Sequence, residues 1–299
     1  MPRGGTELMA EALAARLPEA LKNAVHISLS TVEGPVRHLK PHILWEHQSY
    51  DQPGVQNLAN AFVASAVDAF VFVSEWQRAQ YLLRFPIPPQ KTAVIRNAVE
   101  PIPAHQKSKG PLRLVYTSTP FRGLDVLLEA FALLNRADVE LHIYSGMALY
   151  GRPKDDAQFE ALYARARTMP GVLYHGAVSN EEVKEALKNA HIFAYPNTWE
   201  ETSCIALIEA MDAGLLCVVP SLGALPETAS GFAQLYPSIN DKREHAARFS
   251  KELDVAINRF WLPETQVHLA RQKEFFDQNY SWEGRAGEWE ALIKRLLWG

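Results

Sequence analysis

The chain has 299 residues, of which 47% are hydrophobic and 21% are charged, and its formal net charge is −4. This is the composition of an ordinary globular protein, long enough for about two domains. The acidic balance argues against nucleic acid or an anionic membrane surface as the main partner. Cys204 and Cys217 have no companion cysteines or clustered histidines. The sequence therefore predicts neither a disulfide framework nor a zinc site, and it favours a reducing cytoplasm.

The N-terminus, MPRGGTELMAEALAARL, carries charges where a signal peptide needs an apolar run. No window has the roughly 18 uninterrupted apolar residues of a transmembrane helix. We therefore expect a protein that is neither exported nor membrane-spanning.

Short apolar runs and amphipathic segments follow one another along the chain. The runs that predict buried strands are AVHISLS, HILWEH, AFVFVS, TAVI, LRLVYT, VELHIYS, GVLYHG, AHIFAYP and GLLCVVP. The helical patterns are GTELMAEALAARL, VQNLANAFVASAV, EWQRAQYLLRF, GLDVLLEAFALL, DAQFEALYARART, NEEVKEALKNA and CIALIEAMDAG, with two more in the C-terminal tail. This alternation predicts an α/β protein with parallel sheets.

The segment EPIPAHQKSKGP, residues 100–111, is rich in proline and lysine and has no periodicity, which is typical of an interdomain linker. We predict an N-terminal domain over residues 1–105 and a C-terminal domain over residues 106–280. Two doubly wound domains would face a cleft at the carboxyl ends of their strands. Such sheets bind ligands there, and helix N-termini favour anions.

The stretch WEETSCIALIEAMDAG contains two glutamates, Glu201 and Glu209, around a predicted helix start. Thr202 or Ser203 can cap that helix, so Glu201 lies in the preceding loop. If the helix began at Glu201, the carboxylates would be separated by about 12 Å along its axis. They therefore cannot share a proton, but they can hold opposite ends of one long ligand. A solvated first-turn glutamate is the plain alternative for Glu201.

Several motifs in order resemble glycosyltransferase family 4, the retaining group 1 enzymes with a GT-B fold of two Rossmann-like domains. The family's Glu-x7-Glu motif matches Glu201 and Glu209, followed by AMDAG, LLCVVPS and LGALPE. VDAFVFVSEWQRAQYLLRF resembles the end of the first domain, and TSTPFRGLDVLLEAF resembles the phosphate loop of the donor domain. The resemblance spans nearly the whole chain. It implies transfer of a sugar from a nucleotide-diphosphate sugar, such as a UDP- or GDP-sugar, without a further cofactor.

The resemblance also implies roles for individual residues. Arg122 would stabilise the leaving diphosphate, although a surface arginine in a βα loop is the plain alternative. The family's second basic residue near this loop is absent, so the hydroxyls of Thr117, Ser118 and Thr119 and backbone N–H groups would contact phosphate instead. Glu209 would bind the ribose hydroxyls, and Glu201 would contact the donor sugar near its reacting carbon.

Backbone N–H groups after Glu201 would contact the sugar and the diphosphate. The donor-binding candidates in this segment are Thr202, Ser203, Cys204 and Ile205. The family usually has glycines here, so bulkier side chains would narrow the pocket and change the choice of donor sugar. The nucleotide base would lie against backbone near Val178 and Gly146.

The N-terminal domain contributes further candidates by resemblance. Gly4 and Gly5 match a glycine-rich loop whose backbone approaches donor phosphate or acceptor, with a flexible terminus as the alternative. His47 matches a histidine near the reacting sugar, where it would bond the donor or position the acceptor. A packed histidine, or a metal cluster with His38 and His42, is the alternative. The sequence has no Asp-x-Asp, and we expect metal-independent chemistry.

The N-terminal domain is short for the family. The segment 281–299 resembles the closing helix that crosses back to join this domain. Retention by front-face displacement follows from the resemblance, with a glycan, lipid-linked or small-molecule acceptor. The location would be cytoplasmic, with peripheral contact at the inner membrane face. Two alternatives stay open: another GT-B nucleotide-sugar enzyme, such as an epimerase or phosphorylase, and a catalytically weak nucleotide-sugar-binding protein.

Overall fold

A computed structural model describes residues 4–32 and 39–299. The chain divides into two compact units. The N-terminal unit comprises Gly5–Glu100, Glu200–Ile205 and Asn279–Gly299, and the C-terminal unit comprises Gly4, Pro101–Trp199 and Ala206–Gln278. The short segment Glu200–Ile205 therefore packs with the N-terminal unit, although the chain on both sides of it belongs to the other unit.

Each unit is built from strands and helices in alternation. The strands are β1 (His26–Leu29), β2 (His42–Glu46), β3 (Ala69–Phe72), β4 (Thr92–Val94), β5 (Leu112–Thr117), β6 (Val139–Tyr144), β7 (Val172–Tyr174), β8 (Ile192–Ala194), β9 (Leu216–Ser221) and β10 (Gln234–Pro237). The helices are α1 (Gly5–Arg16), α2 (Glu19–Ala24), α3 (Ala61–Ser65), α4 (Glu75–Arg84), α5 (Leu124–Leu134), α6 (Glu160–Thr168), α7 (Asn180–Asn189), α8 (Ile205–Asp212), α9 (Leu225–Ala229), α10 (Lys242–Arg259), α11 (Pro263–Asn279) and α12 (Trp282–Trp298). Short 3-10 helices lie at Pro53–Ala59, Pro89–Lys91, Met147–Tyr150 and Pro153–Phe159.

The sheet of the N-terminal unit is parallel, in the order β1-β2-β3-β4. Helices α1 and α12 contribute to the core on one face, where the rings of Trp45 and Trp289 meet edge to face at 4.7 Å. The other face buries Phe70 and Phe72 against Tyr81 of α4. Because both faces are covered, the inner strand β3 is apolar and buried at every position, as is usual for parallel sheets.

The sheet of the C-terminal unit is also parallel, in the order β10-β9-β8-β5-β6-β7. The strand order reverses between β5 and β8, so this pair forms the topological switch point. In open α/β sheets, ligands bind beside the carboxyl ends of the strands at that point.

The apolar runs predicted the strands well, and an α/β protein with two parallel sheets is confirmed. Strand β10 and helices α2, α9 and α10 have no counterpart among the predicted elements. The predicted helix VQNLANAFVASAV is wrong, because the chain forms a 3-10 helix at Pro53–Ala59 and then the separate helix α3. The Asn60 side chain caps α3 by accepting a hydrogen bond from the Phe62 N–H.

The predicted linker contains no helix or strand between residues 101 and 111. Hydrogen bonds hold it against the C-terminal unit. The Ile102 N–H donates a 2.6 Å hydrogen bond to the buried carboxylate of Asp212. Lys107 donates to the carbonyls of Leu187 and Lys188 at the end of α7. Among the helices of the described residues, none has the length and apolar character to span a membrane.

Candidate functional site

In the C-terminal unit, the loop after β5 packs closely against the loop after β8. Gly123, which precedes α5, has φ +96°. A Cβ atom at Gly123 would lie 2.1 Å from the carbonyl oxygen of Pro196. The Thr198 hydroxyl donates to the Phe121 carbonyl at 3.4 Å. Only glycine therefore allows this approach, which places the first turn of α5 beside the end of β8 at the switch point.

Hydroxyl groups cluster where β5 and β6 end side by side. The hydroxyl oxygens of Thr117, Thr119 and Ser145 are buried and have no hydrogen-bond partner among the described residues. The predicted site residue Ser118 lies close by in the chain, with its hydroxyl 3.4 Å from that of Tyr195. Buried polar groups in proteins are almost always paired with protein, water or ligand. This end of the sheet is therefore suited to a ligand with several acceptor oxygens.

Arg122 contributes a cation to the same loop. Its guanidinium carbon lies 5.7 Å from the centroid of the Phe121 ring, and that ring meets Trp199 edge to face at 5.8 Å. The Arg122 N–H donates to the Thr119 carbonyl at 3.2 Å, which closes a turn just before α5. A half-buried arginine beside a helix N-terminus favours an anion, because the helix dipole and the guanidinium act with the same sign.

Glu209 lies half-buried on α8. Burial raises the pKa of its carboxyl to about 7, and the positive charge of Lys184 opposes this rise. Near neutral pH the carboxyl therefore exists in both protonation states. In either state it can accept a hydrogen bond from a ligand hydroxyl.

The loops after β6 and β7 also pack tightly. A Cβ atom at Gly146 would lie 3.0 Å from the Cβ of Ala177, and the Ser145 N–H donates to the Gly176 carbonyl at 2.9 Å. Val178 lines a cavity of about 720 Å³ between these strands and α7. The predicted base-binding residues Gly146 and Val178 therefore lie on neighbouring loops.

The same cavity contains a row of rings that the sequence reasoning missed. Tyr144 and His175 stack at 4.3 Å with an interplanar angle of 5°, and His142 Nδ1 lies 3.1 Å from His175 Nε2. The Glu140 carboxylate lies 3.3 Å from His142 Nε2, so this nitrogen carries a hydrogen. Burial lowers the pKa of both histidines. Alternation along β6, with Glu140, His142 and Tyr144 at every second position, was the available sequence signal.

The other predicted residues, apart from Gly4, belong to the N-terminal unit. Glu201, Thr202 and Cys204 are buried, and Ser203 and Ile205 are half-buried. Helix α8 begins at Ile205. The predicted cap by Thr202 or Ser203 is wrong, because Cys204 is the residue directly before the helix. Instead, the Thr202 hydroxyl donates to the His47 carbonyl at 2.9 Å.

His47 follows β2 and packs against Trp45, with ring centroids 4.7 Å apart. Its Nε2 atom is buried and has no hydrogen-bond partner among the described residues. Burial lowers the pKa of His47 to about 3, so the ring is neutral at physiological pH. The preceding Glu46 is fully buried, and burial raises its pKa to about 8.

The alternative metal cluster included His38, which lies outside the described residues. His42 Nε2 lies 2.6 Å from the Ser28 hydroxyl. Within residues 4–32 and 39–299, no group of three His, Cys, Asp or Glu side chains is arranged to hold a metal ion.

The predicted glycine pair lies at the start of α1, with Gly4 before the helix and Gly5 as its first residue. A Cβ atom at Gly5 would lie 2.7 Å from Cδ1 of Ile205. The absence of a side chain at Gly5 therefore allows the end of the Glu200–Ile205 segment to pack against this helix start.

Comparison with known proteins agrees with the motif order. Residues 113–253 match the family model described as "Glycosyl transferases group 1". A phosphatidylinositol N-acetylglucosaminyltransferase subunit of Arabidopsis thaliana is 27% identical over 176 residues, covering 56% of this chain and 37% of the relative. The gpi3 subunit of the same-named transferase from Schizosaccharomyces pombe is 26% identical over 180 residues, covering 58% and 38%. The chain thus spans little more than a third of the length of these relatives.

Solved structures share the fold. A glycosyltransferase from Rickettsia africae superposes with a TM-score of 0.73 at 14% identity, covering 98% of this chain and 82% of the other. Sucrose-phosphate synthase from Thermosynechococcus elongatus gives 0.68 at 15% identity, covering 98% and 79%. Anabaena HepE, solved in complex with UDP-glucose, gives 0.65 at 14% identity, covering 86% and 72%. The predicted GT-B fold class is confirmed.

Proposed function

We propose that the chain is a group 1 glycosyl transferase, since residues 113–253 match that family model, and that it transfers a sugar from a nucleotide-diphosphate sugar to an acceptor hydroxyl. The observation that carries the proposal is the arrangement of polar groups at the carboxyl ends of β5 and β6. Three buried hydroxyls, without a partner among the described residues, lie there beside the loop that holds Arg122. A diphosphate offers the acceptor oxygens and the negative charge that such groups require.

Arg122 and the N-terminus of α5 stabilise the charge that grows on the leaving diphosphate. Thr117, Thr119 and Ser145 donate hydrogen bonds to its oxygens, in place of the second basic residue that the family usually has. In this proposal the reaction proceeds without a metal ion, because the guanidinium and the helix dipole supply the positive charge.

Glu209 binds the ribose hydroxyls, and the base lies near Gly146 and Val178. Glu201 and the backbone that follows it bind the donor sugar. His47 is neutral, so it acts as a hydrogen-bond partner for donor or acceptor hydroxyls and not as a cation.

We further propose that the anomeric configuration is retained by front-face displacement. The bond between the anomeric carbon and the phosphate oxygen breaks, and the acceptor oxygen forms its new bond on the same face. The leaving phosphate takes the proton of the acceptor hydroxyl. The products are the glycosylated acceptor and a nucleoside diphosphate.

The names of the relatives suggest which substrates to assay first. The curated relatives are named for N-acetylglucosaminyl transfer and for phosphatidylinositol, and a structural relative was solved with UDP and GlcNAc. We therefore propose UDP-N-acetylglucosamine as the first donor to assay and a lipid-linked or glycan acceptor. Such an acceptor would bring the protein to the cytoplasmic face of a membrane by peripheral contact.

The test combines binding with turnover. UDP, GDP, ADP and dTDP are compared for thermal stabilisation of the wild type and of Glu209→Ala, with the exposed Glu181→Ala as the control. One nucleotide should stabilise the wild type and the control but not Glu209→Ala. Release of that nucleoside diphosphate should then require an acceptor, and NMR should show a retained anomer. An inverted product contradicts front-face displacement, and no response to any nucleotide contradicts the donor site.

A further inference from the structure

Two hydrogen bonds join three distant parts of the chain within the N-terminal unit. The Thr202 hydroxyl donates to the His47 carbonyl at 2.9 Å. The Ser74 hydroxyl, at the start of α4, donates to the Thr202 carbonyl at 2.6 Å. Thr202 is thus held at both its side chain and its backbone, on one side by the turn after β2 and on the other by α4.

The first turn of α4 also holds the His47 turn directly. Gln77 is fully buried, and its amide group donates to the carbonyls of Gln48 at 2.9 Å and Glu46 at 3.3 Å. Its side-chain oxygen accepts a hydrogen bond from the Val73 N–H at 2.9 Å. The residues immediately before and after His47 are therefore bonded to one side chain.

Ser74 does more than a helix cap requires. Its oxygen accepts the Gln77 N–H at 3.0 Å, which is the ordinary N-cap bond. A cap needs only an acceptor, yet the Ser74 hydroxyl hydrogen is used on a carbonyl 128 residues away in sequence. This second bond fastens the Thr202 segment and contributes nothing to capping α4.

We propose that Ser74 and Gln77 are positioning residues: together they hold the backbone of His47 and of Thr202 in one fixed arrangement. This inference rests on the proposed function, in which His47 and the backbone after Glu201 contact the reacting sugar. Displacement of such groups by about 1 Å costs a rate factor on the order of 100, while ground-state binding of the remote nucleotide is little affected.

Four variants separate positioning from general stability. Ser74→Gly keeps most of the capping, since glycine is a fair N-cap, but removes the donor to Thr202. Ser74→Thr keeps both bonds. Gln77→Leu removes the amide while retaining most of the packing volume. Asn60→Gly weakens a cap of the same unit, at α3, and is the matched control.

Hydrogen exchange tests whether Ser74 and Gln77 hold the backbone near His47 and Thr202, and this test does not require that sugar transfer is observed. Ser74→Gly and Gln77→Leu should each accelerate amide exchange about tenfold in peptides covering residues 46–50 and 199–206, whereas Ser74→Thr and Asn60→Gly should not. Unchanged exchange in these peptides overturns the proposal. Absence of turnover in the wild type would instead count against the proposed function, because the exchange result does not depend on it.

Kinetic measurements then test whether loss of these hydrogen bonds slows sugar transfer. With UDP-N-acetylglucosamine as the donor, Ser74→Gly and Gln77→Leu should lower kcat by about 10- to 100-fold, while the Kd for UDP changes less than about twofold. Ser74→Thr should restore kcat, and Asn60→Gly should leave it unchanged. A kcat equal to that of wild type in Ser74→Gly, or a parallel loss of UDP affinity, overturns the proposal.

Discussion

Replacement of Glu209 by glutamine should make the protein more stable at alkaline pH. In the native state the carboxyl has a pKa of about 7, against a usual value of 4.5. Between these values the native chain binds more protons than the unfolded chain, so stability falls as pH rises through this window. At about 1.4 kcal/mol per pH unit the loss is at most about 3 kcal/mol, and solvent screening of a half-buried group reduces it to about 2 kcal/mol.

The assay is urea denaturation of wild type and Glu209→Gln at about pH 4.5 and about pH 8.5. The free energy of unfolding of the variant, relative to wild type, should rise by about 2 kcal/mol between the two pH values. Nucleotide-induced stabilisation should weaken in the same variant, because a neutral amide accepts fewer hydrogen bonds than a carboxylate. A difference that stays constant with pH would refute the reasoning, since it would mean that burial does not perturb this carboxyl.

Three further predictions concern the two glycine contacts and the histidine. Gly123→Ala should lower stability by about 3 kcal/mol, because its Cβ would meet the Pro196 carbonyl at 2.1 Å, as measured by denaturation. Gly5→Ala and Ile205→Val should couple by about 1 kcal/mol in a double-mutant cycle, since the second change removes the Cδ1 methyl group at 2.7 Å. Because the pKa of His47 is about 3, kcat/KM should show no inflection from this ring between about pH 5 and pH 8.

The first of these predictions has a matched control, and each has a result that would contradict it. Gly214 has φ +70° but open space around it, so Gly214→Ala should cost only about 1 kcal/mol. Equal losses at Gly123 and Gly214 would mean that the backbone angle, not the carbonyl contact, decides the effect. Additive effects of Gly5→Ala and Ile205→Val would contradict the contact between them. An inflection near pH 6.5 that disappears in His47→Gln would show that the histidine titrates.

The strands were predictable because parallel strands covered on both faces are mostly apolar, and runs such as AFVFVS and LLCVVP are too short and too rich in β-branched residues for a buried helix. Helices with a clear apolar face, such as α4 and α7, could also be predicted from the sequence. Strand β10 was missed because its four residues, QLYP, begin with glutamine and end with proline, so no apolar run marks it. The predicted helix around Asn60 failed because a local side-chain cap competes with helix continuation.

The candidate site was predictable only as a set of residues. The order of the motifs predicted that Arg122 and Glu209 belong to the C-terminal domain, and both lie in the C-terminal unit. No local pattern could show that Glu200–Ile205 packs with the N-terminal unit, because the bonds that hold it, from Ser74 and to His47, span more than a hundred residues. The ring row of His142 and His175 depends likewise on register between two strands.

The central claim, transfer from a nucleotide-diphosphate sugar, is tested most directly at Arg122. We would measure acceptor-dependent release of nucleoside diphosphate by wild type, Arg122→Lys and Arg122→Ala at saturating donor. Loss of the guanidinium that stabilises the leaving group should lower kcat by about 100- to 1,000-fold in Arg122→Ala, with a smaller loss in Arg122→Lys. A kcat for Arg122→Ala equal to that of wild type would contradict the account.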